Sequence, residues 1–429
     1  MTNENEIPSA ASTNTSNDVQ AFYNAHPYPP PVLDLDGYRA SWQDENRRRV
    51  DFHLFWPAEP YREDLQILVA GCGTSQAARY ALRYPSTRVI GIDFSATSIH
   101  HSEELKRQYN LNNLELHQLP VVRVSELQME FDQIVCTGVL HHLPDPDAGL
   151  CALRDTLKPG GAMHLMVYAP YGRTGIYMLQ EYCRQLRIRP SETEIQDLAD
   201  TLMALPRDHP LAHLLGQAPD FRTKAGLADA LLNPQDRAYT VPQLLEFISA
   251  AGLRFGRWLR QAPYLPQCGA IAETPHASRL AQLPPQEQHA ALELLRGTML
   301  RHSAVIYPAN SPVDQHSVRF DHDQWQDYIP IRSPGSIVVQ ENLPPGTAAV
   351  LINQNHTYQD LVLPVDKFQK QIYDAIDGQR SISQIMNSVF MAGYPEQRST
   401  DTRSFFQKLW WYDQVVLDSS AAASSASTA

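Results

Sequence analysis

The chain has 429 residues, enough for two or three domains with a large core. Its 35 basic and 47 acidic residues leave a net charge of −12. That balance argues against a nucleic-acid surface over the whole molecule, and no apolar run approaches the roughly 18 residues of a membrane span.

Residues 1–17 are rich in Asn, Ser and Thr, do not resemble a signal peptide, and are expected to be disordered. Residues 18–60 carry Tyr23, His26 and Tyr28 in a stretch stiffened by Pro27 and Pro29–Pro31, followed by a predicted helix from Trp42 to His53. Prolines fix the course of such a segment at low entropic cost, and it reads either as a lid or as a packing strap across the sheet edge. The apolar run Ile67–Ala70 then ends in Gly71-Cys72-Gly73, and the next such run ends in Asp93. Strand, glycine turn, helix, strand and carboxylate build a nucleotide-cradling crevice at the carboxyl edge of a parallel sheet.

The type of nucleotide can be narrowed. A dinucleotide fingerprint needs a third glycine where this chain has Gln76, and no Gly-Lys-Ser/Thr triphosphate motif occurs. A ligand with a ribose and no phosphate fits better, and S-adenosylmethionine (SAM) is one. Phe131–Thr137 reads as a buried strand running into the loop Gly138–Leu143. Asp145-Pro146-Asp147 opens a helix that stops before Lys158-Pro159-Gly160-Gly161, and a strand follows over Ala162–Tyr168.

These pieces resemble class I SAM-dependent methyltransferases: Ile67–Thr74, Gly91–Ser95, the Gly138 to Pro146 block and Leu157–Gly161. The resemblance covers about residues 61–170. It implies a doubly wound, seven-stranded Rossmann-like α/β sheet with SAM as cofactor. It places Gly71 and Gly73 beside the methionine part, Asp93 on the ribose hydroxyls and the loop Thr137-Gly138-Val139 beside the sulfonium and adenosine, with Cys72 and Phe94 as further cofactor-binding candidates. Many members hold the adenine amine with an acidic residue after the third strand. Here that stretch is Leu116–Pro120, so either the Gln118 amide oxygen or a backbone group takes that contact. Val69 stands where many members carry another acidic residue.

Candidate catalytic residues are His141 and His142, at the end of the fourth strand, with Tyr28 and Tyr168. The histidines read either as a base and acceptor-positioning pair or as loop residues that pack and cap the next helix. Tyr28 reads as a ring presented by the lid or as part of a packing strap. Tyr168 reads as a crevice residue or as a core-edge ring with a wetted hydroxyl. No carboxylate or third histidine stands at ligand spacing, so no metal site is expected. Five scattered cysteines without a Cys-x-x-Cys pair suggest reduced thiols and a cytoplasmic setting.

The methyltransferase domain is expected over 61–310, with a helical insertion at 171–238 covering the substrate, loop material from Pro206 to Pro234, and an edge pair at Arg254–Arg260 and Ser303–Tyr307. A linker is expected over 311–340, then a small α+β, winged-helix-like domain over 341–418 and a disordered tail over 419–429. The elements of that domain are a hairpin (Ala348–Ile352 and Asp360–Leu363), helices at Asp366–Ile376, Ser383–Phe390 and Thr402–Tyr412, and a terminal strand Val415–Leu417. They are similar to the peptide-leader-binding elements of ribosomal-peptide biosynthesis; the plainer alternative is a dimerisation or regulatory unit.

Three functions are compatible with this pattern. The first is methyl transfer to a small molecule or peptidyl group under a helical lid. The second is a peptide- or protein-directed enzyme that docks its substrate on the C-terminal domain. The third is a non-catalytic scaffold of the same fold. No nucleic-acid partner and no membrane are expected. The sequence is silent on oligomeric state and on whether the acceptor atom is oxygen, nitrogen or carbon.

Overall fold

A computed structural model describes residues 10–211, 221, 223–312, 317–389 and 397–426. The chain forms two compact units, one of residues 1–39, 64–253 and 297–302, the other of residues 40–63, 254–296 and 303–429.

In the first unit, strands and helices alternate as read from the sequence: β1 (Gln66–Ala70), helix Gln76–Arg83, β2 (Arg88–Asp93), helix Ala96–Tyr109, β3 (Leu114–Gln118), β4 (Phe131–Thr137), helix Pro146–Arg154 and β5 (Leu157–Tyr168). Ile67–Ala70 are wholly buried, as a parallel strand covered on both faces requires. β1 pairs in parallel with β2 and β4, β2 with β3, and β4 with β5. Counting β6 (Leu253–Trp258) and β7 (Arg301–Pro308), most of whose residues belong to the second unit, the seven-stranded mixed sheet has the order β3-β2-β1-β4-β5-β7-β6. The order reverses between β1 and β4, and ligands of such sheets bind outside the carboxyl ends of the strands at that switch point.

Local chemistry explains where several elements begin. The Asp145 carboxylate accepts the Ala148 N–H, and Pro146 occupies the first turn of its helix. Lys158–Gly161 is not a turn before β5 but part of it. The pairing with β4 is irregular between Phe131 and Gln133, and this absorbs the Pro-Gly-Gly run.

The helical stretch after β5 comprises helices Thr174–Leu186, Glu192–Met203 and Lys224–Leu232. Ile176, Leu179, Ile195, Leu198, Leu227 and Leu231 form a core with Phe22 of the N-terminal helix Ala10–Ala25. Two expectations change here. The N-terminal helix begins inside the stretch read as disordered, and Lys224–Leu232, read as loop, is a helix with the Thr223 hydroxyl as its N-cap acceptor. Gly226 and the uniformly apolar Ala/Leu content hid its period. Part of the expected Pro206–Pro234 loop, residues 212–220 and 222, lies outside the described residues.

The second unit holds helices Glu45–His53 and Pro285–Arg296, a three-stranded antiparallel sheet and a two-stranded pair. The expected hairpin is β10 (Ala349–Asn353) with β11 (Val362–Val365). Helices Lys367–Asp374, Ile382–Val389 and Gln397–Trp411 follow, then β12 (Val415–Asp418). Phe390, the expected end of the middle helix, lies outside the described residues. Residues 311–340 are not simply a linker: β8 (Ile329–Arg332) pairs with β12, and β9 (Ser336–Val339) with β10. The expected tail contains the helix Ser420–Ala426. The helix predicted from Trp42 starts instead at Glu45, where Asp44 caps it by accepting the Asn46 N–H. Among the described residues no helix is long and apolar enough to cross a membrane.

Candidate functional site

Gly71 and Gly73 adopt φ of +66° and +54°, a region costly for any residue with a Cβ. A Cβ on Gly71 would stand 2.3 Å from Val139 Cγ2. One on Gly73 would meet Pro29 Cδ at 3.1 Å and the Tyr28 carbonyl oxygen at 3.2 Å. The N-terminal segment therefore runs along the glycine turn, tied there by the Thr74 hydroxyl donating to the Pro29 carbonyl at 2.8 Å. Cys72 between the glycines is fully buried; burial pushes its thiol well up, so it packs as a neutral group.

Asp93 ends β2 and is 7 % exposed. One carboxylate oxygen accepts the Gly73 N–H at 2.8 Å and the other accepts the Ser95 N–H at 2.9 Å. Burial raises its pKa above the ordinary carboxylate value, opposed by these backbone N–H groups. A carboxylate offers about four lone-pair sites, so a vicinal diol still finds acceptors on it. The next carbonyl, of Phe94, accepts from Gln20 Nε2 at 2.7 Å and Gln118 Nε2 at 3.2 Å. Gln118 is thus turned so that its Oε1 remains available to an amine. The Thr137 hydroxyl accepts from Gln76 Nε2 at 2.8 Å, and Gly138, at φ +77°, donates its N–H to Met166 of β5. Glycine turn, buried carboxylate and amide oxygen match the donor set of an adenosyl ligand, so these residues fit SAM.

Beyond β4, the structure brings His141, His142 and Tyr168 together. The His141 ring lies 3.9 Å from the Tyr168 ring and 4.2 Å from that of His142. His141 is wholly buried, and neither ring nitrogen has a partner among the described residues. Burial, with His142 and Arg173 beside it, drives its pKa well below the usual value and keeps it neutral. His142 differs: its Nδ1–H donates to the Gln235 carbonyl at 2.6 Å, which leaves Nε2 as the acceptor of the neutral ring. The Arg173 guanidinium lies 3.6 Å from the Tyr168 ring centroid and pairs with buried Asp236 at 3.4 Å. Tyr28 has its carbonyl oxygen at the glycine turn.

Sequence reasoning missed Asp229, from helix Lys224–Leu232. It is 3 % exposed and accepts from the Tyr23 hydroxyl at 2.7 Å, from Asn233 Nδ2 at 3.3 Å and from the Tyr168 hydroxyl at 3.5 Å. Burial, then Asp229, raises the Tyr23 pKa far up, so Tyr23 is a neutral donor. The Tyr23 ring also stands 6.1 Å from both Phe94 and His142. The one available signal was a lone carboxylate inside Leu227-Ala228-Asp229-Ala230-Leu231. His26, flagged with Tyr23, is bonded instead to the Pro190 carbonyl at 2.7 Å.

A family model described as a methyltransferase domain matches residues 68–163. An uncharacterised protein of Synechococcus sp. is 29 % identical over 325 residues, 73 % of this chain and 76 % of its own. A ubiquinone biosynthesis O-methyltransferase of Acinetobacter baumannii is 30 % identical over 141 residues, 33 % of this chain. The match spans about half of that enzyme, 54 % of its length. Among solved structures, PKMT2 from Rickettsia typhi has a TM-score of 0.64 at 19 % identity, over 91 % of this chain and 77 % of that one. This last likeness speaks to fold. Residues 68–163, which hold the glycine turn and Asp93, thus form a methyltransferase domain of the SAM-dependent kind.

Proposed function

We propose that the chain transfers a methyl group from SAM, in line, to a small molecule or peptidyl group held beneath the N-terminal segment and the helical insertion. The observation that carries this reading is the Tyr23–Asp229–Tyr168 hydrogen-bonded group. It joins the N-terminal helix, the insertion and the end of β5 at the carboxyl edge of the sheet. Gly71, Cys72 and Gly73 would hold the methionine part, Asp93 the ribose diol, Phe94 and Gln118 the adenine side, and Thr137 and Gly138 the border of the sulfonium. When bound, SAM supplies a methyl group already activated by its positive sulfur.

The chain's own residues then have three tasks. His142 accepts a proton at Nε2 from a hydroxyl or ammonium acceptor, its orientation fixed by Gln235. Tyr23, Tyr168 and Asp229 position the acceptor, since orientation alone is worth several kcal/mol. The aromatic faces exclude water. An apolar cleft of about 640 Å³, walled by Tyr171, Tyr177 and Met178, supplies the entry; burial pushes its Tyr177 hydroxyl up to about 12.

The test is incubation with methyl-labelled SAM and cell extract, followed by separation of small molecules from macromolecules. Label among small molecules or short peptides, abolished by His142→Gln, supports the reading. Absence of transfer by protein that binds S-adenosylhomocysteine contradicts it.

A second reading has its own support. Among the described residues β9 is an edge of its sheet, with Ile337 and Val338 each 37 % exposed. An extended peptide could pair there, in keeping with a C-terminal, winged-helix-like docking domain. Val338→Pro, which removes a backbone donor, would then raise KM for a protein acceptor and leave cofactor binding unchanged.

A further inference from the structure

Helix Lys224–Leu232 of the first unit ends at Asn233, whose backbone is extended at φ −61° and ψ 129°. Pro234 after it disfavours helical backbone at Asn233, so the chain turns out of the helix here. Asn233 Oδ1 then accepts the Gln235 N–H at 3.1 Å, the local turn an Asn side chain makes with the residue two places on. Two backbone bonds hold the segment further along. The Arg237 N–H donates to the His141 carbonyl at 3.0 Å, and the Tyr239 N–H to the Tyr168 carbonyl at 2.9 Å.

The other end of the same amide has different partners. Asn233 Nδ2 donates to the Tyr23 hydroxyl oxygen at 2.9 Å and to Asp229 Oδ1 at 3.3 Å. An amide carries two N–H donors and one acceptor oxygen, and these contacts use both kinds. The reverse placement would set Nδ2 against the Gln235 N–H and Oδ1 against a carboxylate, so one orientation is favoured. Tyr23 gives its own proton to Asp229 at 2.7 Å. Gln235, whose N–H is taken by Asn233, accepts from His142 Nδ1 through its carbonyl at 2.6 Å. The contacts therefore run unbroken from Asp229 and Tyr23 through Asn233 and Gln235 to His142, whose ring stands 6.1 Å from that of Tyr23.

We propose that Asn233 is a positioning residue for methyl transfer. Its one amide directs the Tyr23 hydroxyl to Asp229 and, by fixing the turn at Gln235, keeps the His142 proton on Nδ1 and leaves Nε2 to take a proton from the acceptor. Which ring nitrogen carries the proton is set by the hydrogen bond that the ring makes, and here the partner is a carbonyl whose place Asn233 determines. The inference rests on the reading of His142 as the base, but its hydrogen-bonded part can be measured without any methyl transfer.

Nitrogen-15 NMR of the full chain labelled at histidine reads the tautomer of each ring at about pH 8.5, where an ordinary imidazole is neutral. The His142 signals are those lost in His142→Gln. In the wild type His142 is expected in the Nδ1–H form alone. Asn233→Ala removes both sets of contacts and should give a mixture of the two tautomers. Asn233→Ser keeps an oxygen that accepts the Gln235 N–H in the same kind of turn, and should restore the wild-type tautomer. In the label-transfer assay Asn233→Ala should slow methyl transfer at least tenfold and Asn233→Ser, which lacks the donor to Tyr23, at least threefold. S-adenosylhomocysteine affinity should stay within twofold in both. A His142 proton on Nε2 in the wild type, a wild-type tautomer in folded Asn233→Ala, or a mixture in Asn233→Ser would overturn the proposal. A tautomer that follows Asn233 in a protein that transfers no methyl group would instead uphold the control of His142 and sink its reading as the base.

Discussion

Asp93 in the first unit and Asp418 in the second are both buried carboxylates at strand ends, and they are treated in opposite ways. Asp93 is bonded to the Gly73 and Ser95 N–H groups, and burial leaves its pKa raised. Asp418 stands 3.3 Å from both Arg49 Nη2 and His53 Nε2, and accepts from the Ser420 hydroxyl and N–H. Burial alone would raise it, but His53 and Ser420 hold its pKa down to about 2. A carboxylate saturated by cations is structural. One held only by backbone N–H groups beside two positive-φ glycines keeps acceptors for a ligand. The same contrast separates Asp229, set among tyrosyl hydroxyls, from Asp413, which is bound by Arg257, His356 and the N–H groups of Gln261 and Ala262.

The largest expected effect is on stability. Asp418→Ala leaves Arg49 buried without its carboxylate and should cost about 3–5 kcal/mol in urea unfolding. S-adenosylhomocysteine affinity in the folded protein should not change. An equal loss of affinity would erase the distinction between the two carboxylates. Because the folded pKa is depressed, the Asp418 contribution is fully present above the unfolded value near 4. It fades as pH falls through about 2.

Gly71→Ala introduces both a forbidden φ and a conflict with Val139. It should cost about 1–3 kcal/mol and weaken cofactor binding at least tenfold. A fully stable variant with normal affinity would show that the turn is not tuned to a ligand. Asp229→Asn should lower kcat about tenfold, near 1.4 kcal/mol, while the cofactor Kd stays within twofold. A Kd effect as large as the kcat effect would move Asp229 from the acceptor to the cofactor.

Gln118→Ala, at an exposed rim, should cost cofactor binding about 0.5–1.5 kcal/mol. The smallest effect near neutrality is that of pH. A ribose diol donates to the ionised Asp93, whose pKa is raised, so cofactor affinity should fall as pH drops through that value, above the ordinary carboxylate range. Calorimetry across acidic pH checks this, and the dependence should vanish in Asp93→Asn.

Much of the first unit was legible because its signals are local. Glycine turn, carboxylate and Asp145-Pro146 cap each lie within a few residues of the strand they follow. Asp229 was not legible, because its partners Tyr23 and Tyr168 come from distant segments and its own helix lacks a polar face. β8 is only Ile329-Pro330-Ile331-Arg332, and its partner β12 is the last strand of the chain, so no nearby pattern marks it. The roles of His141 and His142 could not be divided from sequence. In the structure they differ by the Gln235 carbonyl, which accepts from the His142 ring and not from that of His141.

Cofactor binding at Asp93 is tested most simply by calorimetric titration of the full chain with S-adenosylhomocysteine, wild type against Asp93→Ala. One-to-one binding is expected, reduced at least a hundredfold by the substitution while the unfolding midpoint is kept. Equal binding by the two proteins, or none by the folded wild type, would contradict it.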